Sequence, residues 1–148
     1  MPYEFKTIRH VEFSETDMAG LMHFSNYFRY METVEQSFLR SLGLSVFRSG
    51  DPPVSWPRVH AECDYKRPLY FEDKVEIHLL VAEKKPKSLT YVFKFRKLNA
   101  APPVPVARGA LTVVCVKHEA EGGMAACSIP KLAHDRIQTA PLELLQLP

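Results

Sequence analysis

Residues 26–42 read NYFRYMETVEQSFLRSL, and within them Tyr27, Met31, Val34, Phe38 and Leu42 recur at spacings of three and four. That period is the mark of an amphipathic helix, and no other segment of the chain carries it so clearly. Ser25 or Asn26 is expected to cap the start by accepting unpaired first-turn amides. Gly43 stands where a left-handed C-terminal cap belongs. Arg29, Thr33, Gln36 and Arg40 form the polar face. At about 100° per residue, Glu35 falls inside the apolar arc and Glu32 at its edge. A carboxylate on the buried side of a helix is costly unless it is paired or used.

On either side of this helix the chain reads as strand. Tyr3, Phe5, Val11 and Phe13 alternate with polar residues, the period-two pattern of a half-buried strand. Thr7 and Ile8 break the alternation and predict a bulge. Further strands are predicted near 58–66, 74–83, 89–98 and 106–117, the last two rich in β-branched and aromatic residues. Lys85-Pro86-Lys87-Ser88 reads as a hairpin turn and 99–105 as a longer one. Twelve prolines punctuate these segments without any repeat or linker, so residues 1–148 are expected to form one domain. One strand, one long helix and four or more antiparallel strands predict a two-layer α+β fold whose sheet buries the helix. A doubly wound parallel sheet is excluded, because its crossovers would need more helices.

Hydrophobic residues make up 46% and charged residues 24% of the sequence, which argues against disorder. Nineteen basic and seventeen acidic side chains leave +2, too balanced to point to nucleic acid or an anionic membrane. No run approaches the roughly 20 apolar residues of a spanning helix, and the opening MPYEFKTIRHVEF lacks a signal-peptide core. A cytoplasmic protein is expected. Cys63, Cys115 and Cys127 are odd in number and widely spaced, unlike a disulfide scaffold. Cys115 and His118 form an isolated C-x-x-H without the second pair that a tetrahedral zinc site needs, so no metal is expected.

The chemistry concentrates in Phe13–Tyr30, FSETDMAGLMHFSNYFRY. Asp17 lies in the loop leaving the first strand, nine residues before the helix start at Asn26. A helix N-terminus offers unpaired amide hydrogens and a positive dipole end, which suit a developing oxyanion. A carboxylate just upstream can attack a carbonyl or activate water while those amides hold the oxygen. The same Asp followed by a small residue and Gly also fits a simple turn, its side chain bonding its own backbone.

The run V-x-F-S-E-T-D-M-A-G-L-M-H-F-S-N-Y-F-x-Y-M-E, Val11 to Glu32, resembles the signature of hotdog-fold acyl-CoA thioesterases. It is closest in pattern to their 4-hydroxybenzoyl-CoA thioesterase branch, which includes the YbgC-type enzymes. Asp17 after Thr16, Ala19-Gly20, Asn26-Tyr27 and Glu32 carry the likeness. Tyr65-Lys66-Arg67-Pro68-Leu69, Asp73 and the basic turn ending in Lys87-Ser88 extend it over residues 7–117.

The resemblance implies a curved antiparallel sheet of five or more strands wrapped around one long central helix. It implies a homodimer or homotetramer with sites between subunits, and hydrolysis of an acyl-CoA to a carboxylic acid and free coenzyme A. No cofactor is implied beyond coenzyme A as part of the substrate. Asp17 becomes nucleophile or general base, and the Phe24 backbone amide polarises the thioester carbonyl. Asn26 and Tyr27 become substrate contacts, and Lys84, Lys85 and Lys87 hold the coenzyme A phosphates, with Arg67 a weaker option. Glu32 would line the acyl pocket and Glu35 would be a reserve general base. YbgC-type members carry a histidine where this chain has Phe24, so His23 is a secondary acid/base candidate displaced by one position. Phe28, Tyr30, Met31 and Phe47 are candidates to surround the acyl group, aromatic or aliphatic. Three rivals stay open: an enoyl-CoA hydratase, an acyl-carrier-protein thioesterase, and a non-catalytic acyl-CoA-binding protein.

Overall fold

The computed structural model describes residues 1–45 and 53–148; Phe47 lies outside the described residues. Strand β1 (Glu4–His10) is followed by a short 3-10 turn (Phe13–Glu15) and helix α1 (Ser25–Ser41). Then come β2 (Val54–Ser55), β3 (Arg58–Tyr65), β4 (Lys74–Lys84), β5 (Ser88–Lys97), β6 (Val104–Val114), β7 (Val116–His118) and β8 (Met124–Ala126). Two short helices, α2 (Lys131–Arg136) and α3 (Leu142–Gln146), complete the chain. The main sheet is antiparallel in the order β1-β4-β5-β6-β3, and β2-β7-β8 form a small second sheet.

Alternation builds the core. On the inner face of the sheet Ile77 pairs with Phe95, Leu79 with Phe93 and Val81 with Tyr91, all buried. Tyr27, Tyr30, Met31, Val34 and Phe38 of α1 are buried with them in one cluster. The outer face carries Glu76, His78, Lys94 and Arg96 at the intervening positions. Gly109 stands opposite Phe93, where a Cβ would run into Met31 Cε and come within 3.3 Å of the Glu62 carbonyl. A side chain at 109 would have to push aside the tip of the buried Met31 and crowd the Glu62 carbonyl. Gly109→Val is expected to cost about 2 kcal/mol by overpacking. A urea titration with a loss below ~0.5 kcal/mol would show that the contact is slack.

Several sequence expectations need correction. The Thr7–Ile8 bulge is absent: Glu4 to His10 pair with Leu80 to Lys74 without a shift. The pleat continues with Thr7 opposite Ile77 and Ile8 turned out, 54% exposed. Neither Ser25 nor Asn26 caps α1; Phe24 is its N-cap residue and supplies no side-chain bond. The predicted 106–117 strand is two strands separated at Cys115. Gly43 does adopt the left-handed conformation, φ 73°. The tail docks on this chain's own sheet: Ala140 N–H donates to Val81 O (2.8 Å), Arg108 Nη2 donates to Leu145 O (2.7 Å), and Lys94 Nζ donates to Leu144 O. No described helix is long and apolar enough to cross a membrane.

Candidate active site

The loop between β1 and α1 is tied down before it reaches Asp17. His23 N–H donates to Glu15 O (2.8 Å), as does Asn26 Nδ2 (2.8 Å). Tyr30 Oη donates to Glu15 Oε1 (2.6 Å), and that hydrogen bond adds to burial in pushing the Tyr30 phenol far up. Arg9 sits over the Tyr30 ring, 4.1 Å from its centroid. Buried anchors from strand and helix thus hold one exposed loop, so a small residue set fixes its shape.

At its tip Asp17 N–H donates to Leu21 O (2.8 Å), and Met22 N–H donates to Leu69 O (2.7 Å). Asp17 Oδ1 accepts from Ala19 N–H (2.9 Å) and Leu21 N–H (3.1 Å). Gly20 takes φ 84°, the left-handed value that lets the chain turn back. The turn reading of Asp17 is therefore real, and it orients the carboxylate: Oδ1 is fastened to the loop, while Oδ2 is not used by that turn. Asp17, Leu21, Met22, Phe24, Tyr27 and Tyr65 line a cleft of about 390 Å³, with Lys66, Arg67 and Pro68 at its edge.

Of the sequence candidates, the structure brings Asp17, Phe24, Tyr27 and Arg67 to this cleft and places the other described ones away from it. Tyr27 is buried between the rings of Tyr65 (4.8 Å) and Phe95 (5.3 Å), and burial pushes its phenol up to about 12. Tyr65 Oη donates to Phe24 O (3.1 Å), fixing the helix lip from the strand side. Asn26 positions the loop through Glu15, as described, and does not line the cleft. His23 also serves local structure. Its Nδ1 is 2.8 Å from Ser25 Oγ and accepts the Ser25 amide at 3.3 Å, and its ring stacks on Phe24.

Glu35 is 1% exposed and bonded to Arg58, with Nη2 2.5 Å from Oε1; Glu32 lies 3.7 Å from the same guanidinium. Both helix carboxylates are thus paired with one arginine and neither lines the cleft. Tyr30 and Met31 belong to the closed core, at 1% and 0% exposure. Lys84 Nζ donates to His134 O (2.9 Å) and Ile137 O (2.8 Å), closing the end of α2, and Lys85 pairs with Glu83 (3.3 Å). None of the three turn lysines lines the cleft; its own cations are Lys66 and Arg67. Lys66 and Tyr65 were missed as site residues because a strand-end position reads from sequence only as a neighbour of Pro68.

A five-stranded antiparallel sheet laid around one long helix is the hotdog fold, and the class it defines here is the thioester hydrolases. The chain belongs to the Thioesterase-like superfamily, whose sequence profile matches residues 11–143. A 1,4-dihydroxy-2-naphthoyl-CoA hydrolase of Synechococcus sp. is 32% identical over 146 residues, covering 93% of this chain and 92% of that protein. An Aquifex aeolicus protein with a provisional esterase name is 41% identical over 83 residues; the match spans 56% of this chain and 63% of that protein's length. Among solved structures, a protein of Aquifex aeolicus superposes with TM-score 0.80 at 32% identity, covering 90% of this chain and 99% of that one. A gentisyl-coenzyme A thioesterase superposes with TM-score 0.74 at 29% identity, covering 88% and 99%.

Proposed function

We propose that this protein hydrolyses an aromatic acyl-CoA to the carboxylic acid and free coenzyme A. The observation that carries the reading is the cleft in which the Asp17 carboxylate, the Phe24 helix lip and two tyrosine rings meet. Asp17 Oδ2 acts on the thioester carbonyl carbon directly, or takes a proton from the water that does. The Phe24 amide holds the oxygen as it gains charge, a task for which backbone donors need no reorganisation. Tyr65, an exposed ring, offers its surface to an aryl group, with the buried Tyr27 packed edge-on behind it. Lys66 and Arg67 supply cations for coenzyme A phosphates at the cleft itself, and Lys85 and Lys87, which lie away from it in the same chain, do so from the second copy of a dimer. The names of the dihydroxynaphthoyl-CoA and gentisyl-CoA relatives support an aromatic acyl group.

Assembly as a homodimer belongs to the same reading. β3 is one of the two edge strands of the main sheet, its residues almost all exposed, and the chain passes from it directly into the cleft at Tyr65–Pro68. An exposed strand edge seeks a partner, and a second copy pairing there would close the cleft to water.

The test is thiol release from a panel of CoA esters. Hydroxylated benzoyl- and naphthoyl-CoA are expected to react with kcat/KM of about 10⁴ M⁻¹s⁻¹ or more, and straight-chain acyl-CoA at least tenfold more slowly. Binding without release by any ester would favour the non-catalytic reading, and water addition to crotonyl-CoA the hydratase.

A further inference from the structure

Cys115 and Cys127 line no part of the Asp17 cleft. Cys115 occupies the break between β6 and β7 and is fully buried; Cys127 follows β8 and is half-buried. The β7–β8 register sets them face to face: Val116 pairs with Ala126, and one step beyond, Cys127 N–H donates to Cys115 O (2.9 Å). Their sulfurs stand 3.5 Å apart. A disulfide needs about 2.05 Å, so the two atoms have only ~1.5 Å to close, within reach of side-chain rotation on a backbone already paired. The remaining cysteine, Cys63, lies in β3.

We propose that Cys115 and Cys127 form a modification site, a dithiol that a low-molecular-weight disulfide oxidises to an intrachain disulfide. Cys127, the more accessible sulfur, attacks the small disulfide as its thiolate, forming a mixed disulfide and expelling one small thiol. Cys115 then gives up its proton to solvent and attacks the Cys127 sulfur, expelling the second. Two protein thiols become one S–S bond, and one small disulfide becomes two thiols. Burial, with Cys127 beside it, pushes the Cys115 thiol up to about 12. The second step therefore quickens as pH rises.

The consequence reaches the basic turn. Cys115 N–H donates to Lys87 O (2.8 Å) and Ile129 N–H donates to Pro86 O (2.8 Å), so backbone on both sides of the pair is bonded to residues 86 and 87. A covalent link would hold these bonds closed against local opening. Its effect on substrate rests on the proposed phosphate-binding role of Lys85 and Lys87.

Reduced full-length protein is incubated with oxidised glutathione at about pH 8.5 and read by intact mass and peptide mapping. The expected product is about 2 Da lighter, linked between 115 and 127, reversed by dithiothreitol, retained in Cys63→Ser and lost in Cys127→Ser. Hydrogen exchange at the Cys115 and Ile129 amides is expected to slow about tenfold on oxidation, and KM for a cleaved CoA ester to fall about threefold with kcat unchanged. Wild-type protein that accumulates only glutathione adducts, or a link through Cys63, overturns the proposal. Slowed exchange with an unmoved KM upholds the dithiol and removes the lysine turn from coenzyme A binding.

Discussion

Asp17→Asn is expected to lower kcat by about 10³-fold or more while the melting temperature stays within ~2 °C of the parent. The two effects separate because the proposed mechanism gives the two oxygens of Asp17 different tasks. Oδ1 accepts the Ala19 and Leu21 amides, a task that an asparagine carbonyl oxygen performs equally well. The other position changes from a carboxylate oxygen, able to attack or accept a proton, to an amide nitrogen that can do neither at neutral pH. Substrate affinity should survive, since Tyr27, Tyr65 and the cations at Lys66 and Arg67 are untouched, so the loss belongs in kcat. Steady-state kinetics with the best ester and a thermal melt decide it. Turnover within a few-fold of the parent would reduce Asp17 to a turn residue; a fall in activity matched by a large fall in melting temperature would show that the loop had collapsed.

The frame of this fold was legible because its causes are local. The i, i+3, i+4 pattern of Tyr27 to Leu42 and the alternation in β4 and β5 recur in the chain as they recur in space. The loop that carries Asp17 was legible only in part. The position of Asp17 before a helix start could be read, whereas its setting against Tyr65 and Lys66 depends on β3 crossing the helix lip 41 residues later. Capping failed as an expectation because Asn26 is drawn to the Glu15 carbonyl and His23 reaches the first-turn amide instead, a competition between partners distant and near. The Thr7–Ile8 bulge failed because pairing with β4 outweighs the cost of leaving one isoleucine in water. Glu35 is the reverse case: its place on the apolar arc announced that it needed a partner, and only the fold could say that the partner was Arg58.

Arg58→Met is the variant expected to cost the most stability, about 3 kcal/mol at pH 8 and roughly 10 °C in melting temperature. Arg58 reaches from the start of β3 to Glu35, a buried residue of α1; the other ionisable groups facing that carboxyl are Glu32 on α1 and Tyr91 on β5. Without the guanidinium a buried charge is left unpaired, the costly half of a broken ion pair. The pH dependence gives the sign. Burial raises the Glu35 carboxyl above its ordinary 4.5, and Arg58 pulls it back through charge and hydrogen bond. A carboxyl raised in the folded state contributes stability that is fully present below its unfolded value and is lost as pH rises through its folded value. Removing Arg58 raises the folded value further, so the variant should fall furthest behind the parent at pH 8 and recover steadily toward pH 5. Tyr91 does not titrate in that window, because burial holds its phenol well above 10. Adding Glu35→Leu should restore much of the loss and flatten the profile, since an apolar pair leaves nothing to ionise. A deficit unchanged between pH 5 and pH 8 would mean that Arg58 acts through packing of its stem, and that Glu35 carries no charge worth neutralising.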